Sequence, residues 1–307
     1  MTLTSARLAQ AARPLGDRLR RRVAIALRDR VAGEDNAAKA AVIWDKPGER
    51  WFTQTDPIWR VHADAAMFAA GVRALLLQSL HPLAMAGVAG HSGYKGDPWG
   101  RLQRTSTFLA TTTFGTIQDA EALIERIRGI HQRVQGRAAD GRHYAASDPH
   151  LLRWVHIAEA DSFLRAHQRY AAVPLTPAEA DRYVEQACVV ATRLGVTDPP
   201  TTVAGLDAAI ESYRPELEGT PAAREAARFL LLHPPLPWSA RLGYSALAGA
   251  GVALLPAWAQ GPLGLPHLPL AERAIALPAG GAATQVIRWA LKHPHEPPKA
   301  SSTPEAG

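Results

Sequence analysis

The sequence predicts an all-α fold. Segments with apolar residues at helical spacing dominate the chain, and no run of strands with period-two alternation occurs. Helix-opening pairs of a capping residue followed by proline recur ahead of those segments: Asp56-Pro57, Asp148-Pro149 and Thr176-Pro177. With 307 residues the chain can form one large domain or two small ones.

Taken in order, Asp56-Pro57 opens a helix over 58–80, with the aspartate as cap. His81-Pro82 interrupts it, because proline disfavours helix in the residue before it. Gly90 to Gly100 reads as a loop, followed by helices at 101–113 and 117–135 and a polar link from Gly136 to Gly141. Asp148-Pro149 starts a helix to 170. Thr176 with Glu179 three residues later resembles a capping box opening a helix to Leu194. Further helices are expected at 203–212, 221–233, 238–255 and 284–292. The domain reading is a basic N-terminal helical extension (1–49), a single helical domain (50–255), a C-terminal helical extension (256–292) and a disordered tail (293–307).

Apolar residues make up 47% and charged residues 20%, which excludes a wholly disordered chain. The net charge of +6, with pI near 9.8, is too small an excess in so long a chain to indicate nucleic-acid binding. A single cysteine, Cys188, excludes an intrachain disulfide framework and a thiolate-rich metal site, and fits a reducing compartment. Met1 to Arg13 has no apolar core of signal-peptide type. The arginine-rich stretch after it, from Arg18 to Arg30, is read as a solvated helix rather than a membrane-surface element. Leu242 to Trp258 is mostly apolar but short and diluted by Gly243, Gly249, Gly251 and Pro256, so a buried helix is expected there. The resulting expectation is a cytoplasmic protein without stable membrane insertion; the sequence does not fix its oligomeric state.

Histidines on apolar faces are the first chemical clue. Ala120, Leu123, Ile124, Ile127, Ile130 and Val134 form an inward stripe, and His131 lies within it, four residues after Ile127. His156, between Leu152 and Phe163, and His62, beside Val61, are also expected to face inward. A buried imidazole needs a polar partner, a metal or a ligand. A hydrogen-bonded core histidine and a ligand both remain open for each. No His-Glu-x-x-His pair and no Glu-x-x-His repeat occurs, so zincin and di-iron sites are disfavoured, and isolated histidines suit a haem better. The second clue is a helical face carrying Arg101, Arg104, Thr105 and Phe108. Two guanidiniums and a hydroxyl suit carboxylates such as haem propionates, or a polar ligand such as dioxygen; the alternative is a solvent-facing charged stripe.

Five blocks in order carry a family resemblance: Ala74 to Val88 (ALLLQSLHPLAMAGV), His91-Ser92, Arg101 to Thr105 (RLQRT), His131 to Gly136 (HQRVQG) and Asp148 to His156 (DPHLLRWVH). Over roughly residues 50–255 the chain resembles the catalytic domain of the oxygenase MpaB and latex-clearing-protein (rubber oxygenase) family. The resemblance implies a globin-like helical domain holding haem b, with His131 as the axial ligand to iron. It implies that Arg101 and Thr105 contact the cofactor and act in catalysis together with Arg104. His156 matches a recurrent histidine without an assigned role and is grouped with the cofactor-binding residues. Where rubber oxygenases carry a lysine that can reach the iron, this chain has Arg104, which cannot readily deprotonate to become a ligand. Their distal glutamate base also has no counterpart, since no acidic residue lies between Asp64 and Asp97, and Asp97 is not equated with it. Asp161 and Glu159 are candidates to orient the second nitrogen of His131. The implied function is haem-dependent oxygenation of a small hydrophobic substrate, unsaturated or isoprenoid-like among the candidates, with dioxygen. A haem-binding or sensing protein without turnover, and an all-α interaction protein lacking haem, are the competing readings.

Overall fold

The computed structural model describes residues 36–91 and 96–291, together with residue 20 and residues 23–25 ahead of them. The helices are α1 (Asn36–Trp44), α2 (Pro57–Ala63), α3 (Met67–Gln78), α4 (Pro82–His91), α5 (Pro98–Phe114) and α6 (Ile117–Arg133), followed by α7 (Pro149–Tyr170), α8 (Pro177–Leu194), α9 (Val203–Tyr213), α10 (Pro221–Leu232), α11 (Trp238–Ala253) and α12 (Leu277–Leu291). The fold is all-α, as the sequence predicts. Most of the basic N-terminal stretch and the tail beyond 291 lie outside the described residues.

The centre is the pair α3 and α7. Helix α3 is apolar nearly all round, and Ala69, Ala70, Val72, Ala74, Leu76 and Leu77 are buried, which is how a helix surrounded by others reads. On its far side lies α11, with α12 against α11; Ile287 of α12 joins the main core cluster. Helix α8 flanks α7, and α2 rests on α8.

Glycines let the layers on α11 close up. A Cβ built on Gly280 of α12 would lie 2.3 Å from Ala250 Cβ, and one on Gly251 would lie 2.9 Å from Val72 Cγ1. Gly280→Ala is therefore expected to destabilise by about 1–3 kcal/mol through overpacking. Gly243→Ala, in the same α11 helix but with nothing within 4 Å, should instead stabilise by about 0.5–1 kcal/mol. Urea midpoints of the two variants check this; a shift in the same direction for both would refute the close approach.

Local departures from the sequence expectation have identifiable causes. The helix predicted over 58–80 is two helices. The Asp64 carboxylate accepts from Ala66 N at 2.7 Å and receives Arg288 Nη2 at 2.8 Å, so the chain turns there. Asp56 does not cap α2 with its side chain; it accepts instead from Thr53 N at 2.7 Å and from Gln186 Nε2 at 2.5 Å. The predicted loop at 90–100 is shorter, because α4 runs to His91 and Asp97 caps α5 by accepting from Gly100 N at 2.8 Å. The link after α6 is a hairpin, β1 (Gln135–Arg137) against β2 (His143–Ala145), with Gly136 opposite the buried Tyr144. Three-residue strands are too short to show alternation. Helix α12 begins at Leu277, upstream of the predicted 284. The capping box at Thr176 forms as read, with Glu179 N donating to its hydroxyl at 3.3 Å, and α8 ends on Gly195 at φ 108°.

Among the described residues no single helix is long and apolar enough to cross a membrane. The bent pair α3 and α4, meeting at 109°, passes by length and composition together, and α3 is a core helix. The apolar stretch from Leu242 is buried only in part. Leu247, Ala248 and Ala250 are core, but Leu242 is exposed.

Candidate functional site

Helices α5 and α6 are joined by the short link Gly115-Thr116 and pack against each other. Thr116 fixes the corner: its hydroxyl caps α6 at Asp119 N, and Lys46 Nζ holds the Asp119 carboxylate at 2.6 Å. At the other end Ala146 N donates to Val134 O at 2.8 Å, which starts α7 directly beside the end of α6. Arg101, Arg104 and Thr105 stand on the first turns of α5, His131 on the last turns of α6 and His156 on the second turn of α7.

Among the described residues, α5 and α6 join the rest of the fold mainly through α1, α2 and α8, and not through α7. The main core cluster takes no residue from α6, and Leu109 is the one α5 side chain packed against it. The inward stripe of α6 divides accordingly. Ala120 and Ile124 near its start are buried, whereas Leu123, Ile127, His131 and Val134 are half-buried and Ile130 is exposed. The half-buried part of the stripe keeps apolar surface that a large apolar ligand could cover.

The two histidines of this region are half-buried, and each has an orphaned nitrogen. His131 Nδ1 and His156 Nε2 are buried with no hydrogen-bond partner. Burial holds the His131 imidazole below its ordinary pKa. Burial, with the Arg153 charge adding to it, pushes His156 down to about 4. Both rings are neutral near pH 7, the form in which imidazole binds a metal.

The arginine face is distributed unevenly. Arg101 is half-buried, Thr105 is exposed, and Arg104 Nη1 pairs with Asp97 Oδ2 at 3.2 Å in solvent. Asp97 is engaged as cap and ion-pair partner, and its carboxyl is held below the usual range by the Gly100 N–H and then by Arg104. Asp161 does not orient His131; its carboxylate binds Arg73 and Arg165.

A second polar group lies deeper, where α2, α5, α7 and α8 meet. His62 Nδ1 is 2.7 Å from Thr113 Oγ1, and its ring meets Phe163 and Tyr183 edge-on. Burial pushes His62 down to about 3, so it is a neutral, hydrogen-bonded core histidine. The Tyr183 hydroxyl is buried without a partner. Its pKa is driven up by burial and then by the Glu159 and Asp161 charges.

Burial also pushes the Glu159 carboxyl up to about 7 from an ordinary 4.5. Between those values the folded state keeps a proton that the unfolded chain has lost, so stability falls as pH rises through that window. Glu159→Gln should then raise the unfolding free energy by on the order of 3 kcal/mol near pH 8 and leave it unchanged near pH 4. Urea unfolding at both pH values decides the matter; an equal response at the two would mean an ordinarily solvated carboxylate. Tyr183 was not singled out from the sequence, although its place on the inner face of α8 carries the signal.

The molecule is an all-α protein with two half-buried, neutral imidazoles, His131 and His156, and an arginine-bearing helix, α5. The catalytic-domain model of the family described as ER-bound oxygenase mpaB/B'/Rubber oxygenase matches residues 59–289, and the chain belongs to that family of oxygenases. No curated protein and no solved structure matches it.

Proposed function

We propose that this protein is a haem b-dependent oxygenase acting on a small hydrophobic substrate of the unsaturated, isoprenoid-like class. The observation that carries the reading is the buried, unpartnered nitrogen of neutral His131, on a half-buried apolar stripe outside the main core. An orphaned imidazole in that setting fits an axial ligand, and the family supplies the class of chemistry.

Haem, when bound, supplies the redox chemistry with dioxygen. The chain's own residues do the rest. His131 would hold the iron. Arg101 and Arg104 present guanidiniums suited to carboxylates, and Arg104 can leave its solvent-exposed partner Asp97 at small cost. Leu123, Ile127 and Val134 offer apolar surface that would exclude water from the bound group. Thr105, one turn after Arg101, adds a hydroxyl at the same rim. His156 offers a second neutral imidazole from α7. Glu159 can hold a proton near neutral pH, which would suit it to proton transfer.

The test combines the visible spectrum of the purified protein with oxygen uptake on isoprenoid and other alkene substrates. A haem spectrum with substrate-dependent uptake supports the reading. Haem without uptake on any of them would leave a binding or sensing protein, and a colourless protein that takes up no added haem would end the proposal.

A further inference from the structure

Away from the α5–α6 hairpin, a corner of the fold brings together three chemistry-bearing side chains. His81 sits in the turn between α3 and α4, His150 in the first turn of α7, and Glu216 in the short 3-10 turn Arg214–Glu216 after α9. One ligand atom from each residue, a ring nitrogen or a carboxylate oxygen, lies within 4.8 Å of the other two. We infer that His81, His150 and Glu216 form a site for a divalent cation of the zinc class, distinct from the haem face and independent of the haem reading.

His81 is the member of the group that most needs a partner. Its side chain is 2% exposed, and neither ring nitrogen has a hydrogen-bond partner. Nε2 stands 3.5 Å from Glu216 Oε2, facing it without bonding to it. Two donors around one zinc, at about 2.0–2.2 Å each and near the tetrahedral angle, are separated by about 3.4 Å. The gap that is wrong for a hydrogen bond is right for a bridging ion. His150 Nε2 completes the set at 2.8 Å from Glu216 Oε2, a contact that a small outward movement would open. A surface ion pair alone would account for His150 and Glu216. It would not account for a buried imidazole left unsatisfied beside them.

The surroundings hold the three in place. The Tyr213 hydroxyl donates to His150 O at 2.9 Å and lies 3.2 Å from His150 Nδ1, while its ring stacks on the imidazole at 4.5 Å. That fixes the ring so that Nε2, not Nδ1, addresses the carboxylate. Glu218 N donates to Leu80 O at 2.8 Å, tying the Glu216 turn to the residue next to His81. Trp154 and Tyr213 border the His81 ring. The side chains of His150 and Glu216 are 51% and 42% exposed, so an ion can enter from solvent and keep water in a fourth position. Two imidazoles and one carboxylate favour zinc, cobalt(II) or nickel over calcium or magnesium, which prefer all-oxygen sites.

The experiment uses the full-length protein, stripped with chelator and dialysed against zinc alone. One zinc per chain is expected, with a raised melting temperature and, after cobalt(II) loading, visible ligand-field absorption. His150→Gln and Glu216→Gln alter exposed side chains and should keep the fold by circular dichroism. Each should weaken zinc binding by more than about tenfold, since even an outer-shell partner is worth that much, and should abolish the cobalt bands. His131→Ala should bind zinc as wild type does. Absence of stoichiometric zinc, or zinc held equally by wild type and both glutamine variants, would overturn the site.

Discussion

On the proposed haem reading, His131→Ala protein is expected to lack the Soret band that the wild type would show, with its haem content reduced to a small remainder. The size of the effect follows from the setting. The remaining contacts of a haem in this region would be apolar surface and the half-buried Arg101 and exposed Arg104, and neither would replace a bond to the iron. The half-buried place of His131 on the last turns of α6 means that alanine removes little packing, so the fold should persist. Added imidazole should restore part of the band by occupying the space vacated by the ring. A merely structural histidine would not respond in that way. His62→Ala should keep its haem, because that ring is already bonded to Thr113. A wild-type spectrum from His131→Ala would overturn both the axial assignment and the oxygenase mechanism built on it.

The half-buried place of His131 was legible in the sequence, whereas several contacts around it were not. His131 lies in register with Ile127 and Val134, and helical periodicity alone places it on the inner face. The same argument gave the order of the helices and the capping box at Thr176. Other features depend on contacts between residues far apart in the chain. Arg288 reaches Asp64 from 224 residues away, and that contact divides the predicted 58–80 helix. Arg104 shares a helical face with Arg101, yet its partner Asp97 draws it into solvent. His81 was visible in the sequence as the residue before Pro82 that interrupts a helix, with no sign of a ligand role. Its lack of any hydrogen bond is a property of three turns meeting, which no periodicity reports. The competition for Asp161 has the same origin: its position on α7 suggested a partner for His131, but α3 presents Arg73 to it instead.

The Arg73–Asp161 pair carries the largest expected effect on stability. Both residues are 2% exposed, with Nη2 and Oδ2 2.5 Å apart. Every polar direction of the guanidinium that faces this layer is used: Nη1 donates to Ser162 Oγ at 2.6 Å and Nε to Leu254 O at 2.8 Å. Arg73 therefore joins α3, α7 and the end of α11 through one side chain. Asp161→Asn leaves that charge buried and uncompensated, and should cost about 3–5 kcal/mol. Against a total stability of about 5–15 kcal/mol, this brings the protein close to unfolding at ordinary temperature. Arg73→Met strands Asp161 less completely, because Arg165 Nε still holds its other oxygen at 2.9 Å, so a smaller loss is expected. Arg165→Ala provides the internal comparison. Its side chain is 40% exposed, and removing it should cost under about 1 kcal/mol. The double variant Arg73→Met with Asp161→Leu should lose less than the sum of the single losses, since it removes both charges together. Urea midpoints for the set measure the coupling directly; additive losses, or an Asp161→Asn protein as stable as Arg165→Ala, would show that the pair does not hold the α3–α7 layer together.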